Sequence, residues 1–273
     1  MGAIRNIFGS FFTHSFLSRK GEGDCEDNEE PEKINVEDLM VDVKDCVRPD
    51  FRICLDVMTI ADCHGKLMQK EIQEVLDANP TPDVVFFLGD NFPSDIEAAL
   101  EVIPKSVKWI FGVTGNHDAK DALERYSDRI LDVNKGSYST GGMVSSDDYS
   151  VCGLSGSIRY KDDDYYSMLS NEESENIMAN KPWCDILITH DKPCFSVPET
   201  LTSHSGLTGI GKYILQKKPQ LVLHGHIHER YIKRLGETII RSCYGVEMFK
   251  VTLSSPAHVA GYSVSEGTHI YEY

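Results

Sequence analysis

From Phe51 onward, apolar runs alternate with stretches in which apolar residues recur at helical spacing. Three runs are rich in β-branched residues and end in polar turns, which predicts buried strands: FRICLDVMTIA, DVVFFL and VKWIFGV. The stretches that follow them predict helices: LMQKEIQEVLD, SDIEAALEVIP with Ser94 as its capping residue, and AKDALERY. This order of elements predicts an α/β fold in which helices cover a parallel sheet.

The second half of the chain has a different pattern. Short strands separated by Gly and Ser turns are predicted for GSYSTGGMVSSDDYSVCGLSGSIRY. Helices are predicted for YYSMLSNEESENIMAN and GIGKYILQKK, and strands for CDILITH and QLVLHGH. The segments GETIIRSCY and EMFKVTLSS predict a closing antiparallel pair, and the weakly patterned end PAHVAGYSVSEGTHIYEY is interpreted as a strand or a tail.

The N-terminal part of the chain is patterned as a tail. Residues 1–20 place apolar side chains on one face of a predicted helix, whereas residues 21–50 hold 12 acidic and 3 basic residues and predict a flexible linker. Three alternatives stay open for the amphipathic segment: docking on the domain's own surface, weak membrane-surface association or organelle targeting, and disorder. Gly2 invites N-myristoylation, although Asn6 departs from the motif. We predict a tail over 1–50 and a folded domain over 51–273.

Composition narrows the class of ligand. The chain has 43 acidic and 27 basic residues and a net charge of -16 at pH 7. Such a surface repels nucleic acid, so no stable nucleic-acid binding is expected, and a phosphate-bearing ligand needs positive charge supplied locally, as metal ions would supply it. The 8 cysteines are scattered without a CxxC pair, and no apolar stretch approaches a membrane span, which predicts a cytoplasmic protein.

Five polar clusters each follow a predicted strand. They contain Asp62 and His64, Asp90, Asn116 and His117, His190, and finally His226 and His228. Because the carboxyl ends of parallel strands meet at one edge of a sheet, these clusters are expected to converge. Carboxylate, imidazole and amide oxygen together suit divalent ions such as Mn, Fe, Zn, Ni or Co. Two such ions about 3.5–4 Å apart form a clamp for displacement at phosphorus.

The order of these clusters, D-x-H, GD, GNHD, H and GHxH, resembles that of the calcineurin-like metallophosphoesterase superfamily. The resemblance covers residues 51 to about 253 and implies a four-layer α/β/β/α sandwich with two mixed β-sheets. It also implies a binuclear centre of two divalent metal ions, with Mn the first choice in vitro. The ligands of the first ion would be Asp62, His64 and His228. Those of the second would be Asn116, His190 and His226, with Asp90 bridging both ions.

The resemblance also implies a reaction. A hydroxide held between the two ions would attack phosphorus, and no covalent phospho-enzyme would form. His117 would act as general acid or transition-state donor, and Asp118 would orient its ring. His224 would support the ligands His226 and His228 from behind. The domain over 51–273 would then be catalytic.

Two motifs separate this chain from part of the superfamily. The sequences GDNFPSD and TGNHD differ from the GDxxDRG and RGNHE of protein serine/threonine phosphatases, because Asp95 falls two positions late and no Arg follows. The segments DILITHDKP and KPQLVLHGHIHE look more like those of small phosphodiesterases, including class III cyclic-nucleotide phosphodiesterases. We therefore expect a phosphodiesterase that acts on a small phosphorylated substrate such as a nucleotide.

Other interpretations stay open. The protein could be a phosphomonoesterase or protein phosphatase, or a non-catalytic scaffold, as a retromer subunit of this fold is. Substrate contacts are assigned to Arg159 with Tyr160 in SGSIRY and to His204 with Ser205 in TSHSG. Both segments could equally be ordinary surface loops.

Overall fold

The computed structural model describes residues 52–140, 148–161, 167–197, 199–254 and 258–260. The predicted tail over 1–50, with its amphipathic segment, acidic linker and myristoylation motif, lies outside these residues. The helices are α1 (Gln69–Asp77), α2 (Pro93–Val102), α3 (Asn171–Ala179) and α4 (Thr208–Lys217). Among the described residues, every helix is too short or too polar to cross a bilayer.

Within the described ranges, the strands form two six-stranded sheets and one small two-stranded sheet. In chain order they are β1 (Arg52–Ala61), β2 (Val84–Leu88), β3 (Trp109–Val113), β4 (Leu131–Asp132), β5 (Tyr138–Ser139), β6 (Ser150–Leu154), β7 (Ser157–Ile158), β8 (Met168–Leu169), β9 (Ile186–Thr189), β10 (Leu221–His224), β11 (Tyr231–Leu235), β12 (Thr238–Ser242), β13 (Gly245–Ser254) and β14 (His258–Ala260). β14 lies in the weakly patterned end and pairs antiparallel with β13.

Both large sheets are mixed. The first has the order β14-β13-β1-β2-β3-β4, and the second has the order β11-β12-β10-β9-β6-β5. In the first sheet β1, β2 and β3 run parallel, and β13 joins β1 antiparallel. In the second sheet β6, β9, β10 and β12 run parallel, and β11 joins β12 antiparallel. Each sheet therefore has several parallel strands ending at one edge.

Three apolar clusters separate four layers. Between the sheets, side chains such as Phe86 of β2 and Ile188 of β9 form one cluster. On the outer face of the first sheet, Phe87 packs with residues of α1 and α2, and on the outer face of the second, Leu187 packs with residues of α3 and α4. Because successive strand residues point to opposite faces, each buried strand contributes to two layers. The predicted α/β/β/α sandwich with two mixed sheets is confirmed.

The first half follows the predicted order of strands and helices, with a correction at the start of α2. Ser94 does not cap this helix, because the capping position is Phe92 and the first helical residue is Pro93. Proline fits there because the first N–H of a helix has no partner within the helix. The backbone N–H of Phe92 donates instead to the Asp95 carboxylate at 2.8 Å.

Two predicted helices are shorter than expected. AKDALERY forms turns and a single 3-10 turn, Glu124–Tyr126, since so short a segment has little helical stability of its own. In the described part of YYSMLSNEESENIMAN, Met168–Leu169 forms a strand, and only Asn171–Ala179 is helical. The helix begins there because Ser170 caps it, with its hydroxyl oxygen accepting the Glu173 N–H at 3.1 Å.

The predicted antiparallel pairing of GETIIRSCY with EMFKVTLSS is wrong, because the two segments join different sheets. β12 pairs with β10 and β11 in the second sheet, whereas β13 pairs with β1 in the first. Strand β11 was not predicted, because its sequence YIKRL forms a half-exposed edge with little apolar patterning. The chain crosses from one sheet to the other at Cys243 and Tyr244, and Gly245 then begins β13 with a φ of +70°. Glycine adopts that conformation without strain.

Candidate metal centre

All predicted metal ligands lie at the carboxyl ends of parallel strands. Asp62 and His64 follow β1, Asp90 follows β2, and Asn116 follows β3. On the second sheet, His190 follows β9, and His226 and His228 follow β10. Backbone hydrogen bonds join the loops: Asp62 N–H donates to the Gly89 carbonyl and His64 N–H to the Asp90 carbonyl, each at 3.1 Å. The two sheets thus bring five strand ends to one edge of the sandwich.

The first ligand group consists of Asp62, His64 and His228. One ligand atom from each lies within 4.8 Å of the others. His228 Nε2 is 3.7 Å from Asp62 Oδ1 and 3.2 Å from His64 Nε2. The Asp62 side chain is fully buried, whereas the His228 side chain is 47% exposed and His64 is 24% exposed. This group is therefore open to solvent on its imidazole side.

The second ligand group consists of Asp90, His190 and His226, whose ligand atoms also lie within 4.8 Å of one another. All three side chains are buried. His190 Nε2 is 3.5 Å from Asp90 Oδ2 and 3.0 Å from Asn116 Oδ1, which brings the predicted amide ligand to the same place. The other ring nitrogen of His190 bonds the Leu88 carbonyl at 2.8 Å and so fixes the ring.

Asp90 lies between the two groups. Its Oδ2 is 3.8 Å from His64 Nε2 in the first group and 3.5 Å from His190 Nε2 in the second. Its Oδ1 accepts the backbone N–H of His117 at 2.8 Å. One buried carboxylate therefore faces both groups and ties them to the loop after β3.

The electrostatics of the cluster suit a cation. Burial raises the pKa of Asp62 to about 7, and burial with the charge of Asp90 raises the pKa of Asp118 to about 6. Burial alone would lower the pKa of His190, but the Asp90 carboxylate raises it to about 10, and His190 in turn holds the pKa of Asp90 low against its burial. Burial and the charge of His190 lower the pKa of His226 to about 3. With a pKa of about 10, His190 carries a proton at pH 7, and a divalent ion that binds between Asp90 and His190 would displace it, because imidazole binds metal in its neutral form.

Backbone conformation marks the same residues. Within the described chain, six non-glycine residues have positive φ, and five of them are predicted metal ligands. These five are Asp62 (+55°), His64 (+50°), Asp90 (+52°), His226 (+70°) and His228 (+53°). A left-handed conformation costs a non-glycine residue about 1–3 kcal/mol and persists where the surrounding structure enforces it, most often at functional sites.

Two glycines make close approaches that the site requires. A Cβ added to Gly115 would collide with the Asp90 side chain and backbone. A Cβ added to Gly225 would lie 2.7 Å from Asp62 Oδ2. Both glycines belong to the motifs that carry ligands, GNHD and GHxH. Their missing side chains let the loops approach the two carboxylates.

The predicted catalytic pair lies beside the ligands. The ring of His117 is exposed and lies edge-on to the His64 ring, with centroids 5.3 Å apart. Asp118 is buried, and its Oδ2 accepts the backbone N–H groups of Asp90 at 2.7 Å and Gly115 at 2.8 Å. Asp118 thus holds the β2 and β3 loops together. Its predicted orientation of the His117 ring stays a prediction.

His224 lies beside the loop that presents His226 and His228, and its supporting role stays a prediction. It is fully buried, with Nδ1 bonded to the Gly225 carbonyl and Nε2 to the Tyr231 hydroxyl, each at 3.0 Å. Burial lowers its pKa to about 4, so the ring is neutral at pH 7. Strand β11, which carries Tyr231, therefore contributes to the loop that presents His226 and His228.

The predicted substrate contacts lie in different surroundings. The exposed His204 ring is edge-on to the His226 ring at 5.0 Å, so it adjoins the second ligand group. Arg159 instead donates to the Met168 carbonyl at 3.1 Å and pairs with Glu173 at 3.2 Å, beside the start of α3. Tyr160 is exposed next to it. A substrate role for these residues stays a prediction.

Asp95 supports the site, although the sequence motifs did not identify it. In the motif comparison it counted only as a departure from the GDxxDRG of protein phosphatases. Asp95 is fully buried in α2, and its carboxylate accepts the backbone N–H groups of Gly65 at 2.7 Å, Leu67 at 2.9 Å and Phe92 at 2.8 Å. These bonds fix the loop that follows His64. The shift of this acid by two positions in GDNFPSD was the signal that could have identified it.

Comparison with known proteins agrees with this geometry. The family model for calcineurin-like phosphoesterases matches residues 55–230, and the chain therefore belongs to that family. The resemblance stated from the motifs is confirmed. Members of this family typically bind two divalent metals, and the two ligand groups are candidates for holding them. No curated protein sequence matches the chain.

Solved structures with low sequence identity share the fold. The protein TT1561 of Thermus thermophilus matches with a TM-score of 0.50 and 14% identity, over 74% of this chain and 94% of that one. GAP50, described as the anchor in the inner membrane complex of Plasmodium, matches with a TM-score of 0.52 and 14% identity, over 81% of this chain and 87% of that one. These likenesses concern the fold.

Proposed function

We propose that this protein is a metal-dependent phosphodiesterase that hydrolyses a small phosphate diester, with a nucleotide-type ester as the expected substrate class. The observation that carries the proposal is the arrangement of two ligand groups around Asp90. Asp62, His64 and His228 would hold one ion, and Asp90, Asn116, His190 and His226 the other. The donors are carboxylate, imidazole and amide oxygen, which fit Mn and similar ions.

Two divalent ions held at this position would supply the positive charge that a phosphate needs on a chain with a net charge of -16, and would acidify a water. Proton donation and the positioning of the reacting groups would come from the protein's own residues. His117 lies at the exposed mouth and is the candidate proton donor to the leaving oxygen. Its backbone is held by Asp90, and Asp118 holds Asp90 in turn. The buried second group keeps bulk water from the inner side of the site.

The preference for diesters rests on two supports. The sequences of the motifs resemble those of small phosphodiesterases more than those of protein phosphatases. In addition, a cavity of about 540 Å³ adjoins the first ligand group, and Asp62, His64 and His228 are among its lining residues. A diester needs room for a substituent on each side of phosphorus, and this cavity provides room on one side. A cytoplasmic location and a weak membrane association of residues 1–20 remain predictions.

The test is hydrolysis by metal-stripped protein of bis-p-nitrophenyl phosphate and p-nitrophenyl phosphate, with Mn, Ni, Zn, Fe or Mg added back. The His226→Ala variant, which lacks one buried imidazole, runs beside the wild type. We expect turnover that depends on added metal, favours the diester and disappears in the variant. Faster monoester turnover would support a phosphomonoesterase. Two bound ions without turnover of either ester would support a scaffold.

A further inference from the structure

The cavity beside the first ligand group has an aromatic wall. Besides Asp62 and His64, it is lined by Arg230 and Tyr244, from the segments that flank β11 and β12. We propose that Tyr244 is a specificity residue, and that its ring stacks on a planar, uncharged ring of the substrate, of the nucleobase class. The inference rests on the proposed function, because it assigns the substituent that the cavity receives.

The Tyr244 ring lies against the first ligand group. It stacks on the His228 ring, with centroids 5.0 Å apart and an angle of 20° between the planes. The residue is 40% exposed, so much of the tyrosine still faces solvent. A planar group on the phosphate ester could extend this stack outward from the metal ligand. Stacking on a tyrosine ring tolerates any unsaturated ring, since it needs a flat π-face rather than particular hydrogen bonds.

The backbone of Tyr244 is held on both sides, which distinguishes it from an ordinary exposed aromatic residue. Its N–H donates to Glu247 Oε1 at 3.1 Å, and its carbonyl accepts from Arg230 Nε at 2.9 Å. Arg230 Nε also lies 2.6 Å from Glu247 Oε1. Glu247 is buried and forms a second ion pair with the buried Arg241 at 2.5 Å.

A buried network of this kind is costly to form, because charged groups leave water and must be bonded by the protein. Here two arginines and a carboxylate converge on the short crossing between β12 and β13, where Tyr244 is the exposed member. These bonds hold the backbone that carries the ring, and the stack on His228 holds the ring itself, so less ordering entropy is lost when a ligand stacks on it. The rigidity therefore favours a binding role over a passive surface position.

The charge of the cavity favours an uncharged ring over a second anionic group. Its lining includes the acids Asp62, Glu71 and Glu74 and the bases Lys66 and Arg230. Arg230 is already paired with Glu247, and Glu74 with Lys70. Apart from the predicted metal ligand Asp62, the lining therefore leaves one acid, Glu71, and one base, Lys66. This wall has no surplus positive charge to bind a second phosphate, whereas an uncharged aromatic ring needs none.

The test compares adenosine 5′-monophosphate with ribose 5-phosphate, which share the sugar phosphate and differ by the base. Calorimetric titration of Mn-loaded, full-length protein gives the dissociation constant of each. We expect the wild type to bind the nucleotide roughly 5- to 100-fold more tightly, the range expected from stacking one base on an aromatic side chain. Tyr244→Phe, which keeps the ring, should keep that ratio, and Tyr244→Leu should bring it close to one.

Metal content separates a ring-binding role from a merely structural one. If Tyr244 only supported His228, Tyr244→Leu would lower the bound Mn and weaken both ligands alike. We expect two Mn ions per chain in wild type and both variants. A wild-type ratio near one, undetectable binding of both ligands, or an unchanged ratio in Tyr244→Leu would overturn the inference. Failure of the proposed function appears separately, as absent hydrolysis of bis-p-nitrophenyl phosphate by protein that still binds the nucleotide.

Discussion

The two ligand groups differ in their contact with solvent, although each combines one carboxylate with two imidazoles. In the first group the His228 side chain is 47% exposed, whereas in the second the His190 side chain is fully buried. The difference comes from position, because His190 directly follows β9 between the layers, and His228 lies four residues beyond the end of β10. We therefore expect substrate to reach the first group, since the second is the enclosed half of the site.

From this contrast we expect a site that binds metal firmly in one half and admits a substrate to the other. Buried charges interact strongly because little water screens them, so the enclosed group should hold its ion more tightly. The exposed group is more strongly screened and adjoins the cavity walled by Tyr244. Asp90 faces both and links the two environments. The following predictions test this division.

The largest effect is expected from removing a buried imidazole. His190→Ala leaves the buried Asp90 carboxylate without its nearest imidazole partner and opens a cavity, so we expect a loss of about 3–5 kcal/mol in the free energy of unfolding of metal-free protein. His228→Ala, at an exposed position of the first group, should lose less than about 1 kcal/mol. Urea unfolding of both variants measures this, and equal losses would contradict the contrast.

Chelation should remove the two ions in separate steps. Because the first group is exposed, we expect EDTA to release one ion quickly and to stop hydrolysis while most of the stability gained from metal remains. Release of the second ion should then lower the melting temperature, since an ion held at about 100 times its dissociation constant stabilises by roughly 2.7 kcal/mol. Metal content and melting temperature are followed together. Release of both ions in one step would count against the division.

A single added methyl group should distinguish a site glycine from a surface glycine. A Cβ in Gly115→Ala would collide with Asp90, so we expect a loss of about 1–3 kcal/mol in stability and weaker binding of both ions. Gly136→Ala is the matched control, because the nearest atom to its Cβ would be 3.8 Å away, in the Tyr138 ring. Its stability should change by less than about 0.5 kcal/mol. Metal titration and thermal unfolding of the pair provide the measurement.

The smallest effects are expected at the predicted substrate residues. His204 adjoins His226, so His204→Ala should lower kcat/KM by about 10-fold, as removal of one substrate contact does. Arg159 is engaged by Glu173, and Arg159→Ala should change kcat/KM by less than about twofold, since an exposed ion pair contributes little. Steady-state kinetics of both variants with bis-p-nitrophenyl phosphate measures the two effects. A larger loss of kcat/KM in Arg159→Ala than in His204→Ala would show that Arg159, and not His204, contacts the substrate.

Much of the site was predictable because its ligands follow strands that the apolar pattern identifies. Asp62 and His190 come directly after such a run and Asp90 follows one glycine later, and parallel strands place their carboxyl ends together. The cavity wall was not predictable in this way. Tyr244 reaches His228 only because the chain changes sheets after β12, and strand alternation carries no information about which sheet a strand joins. The partners of Asp95 were hidden for a related reason, since two of its three hydrogen bonds reach a different loop.

The most direct test of the central claim is electron paramagnetic resonance of the protein titrated with Mn²⁺. If Asp90 faces two adjacent ions, the spectrum should change from an isolated-ion signal to an exchange-coupled pair as the loading rises from one to two ions per chain. Asp90→Asn, which removes the shared charge, should weaken or abolish that coupling. Two ions per chain that show only isolated signals, or a chain that binds one ion at most, would contradict the binuclear account.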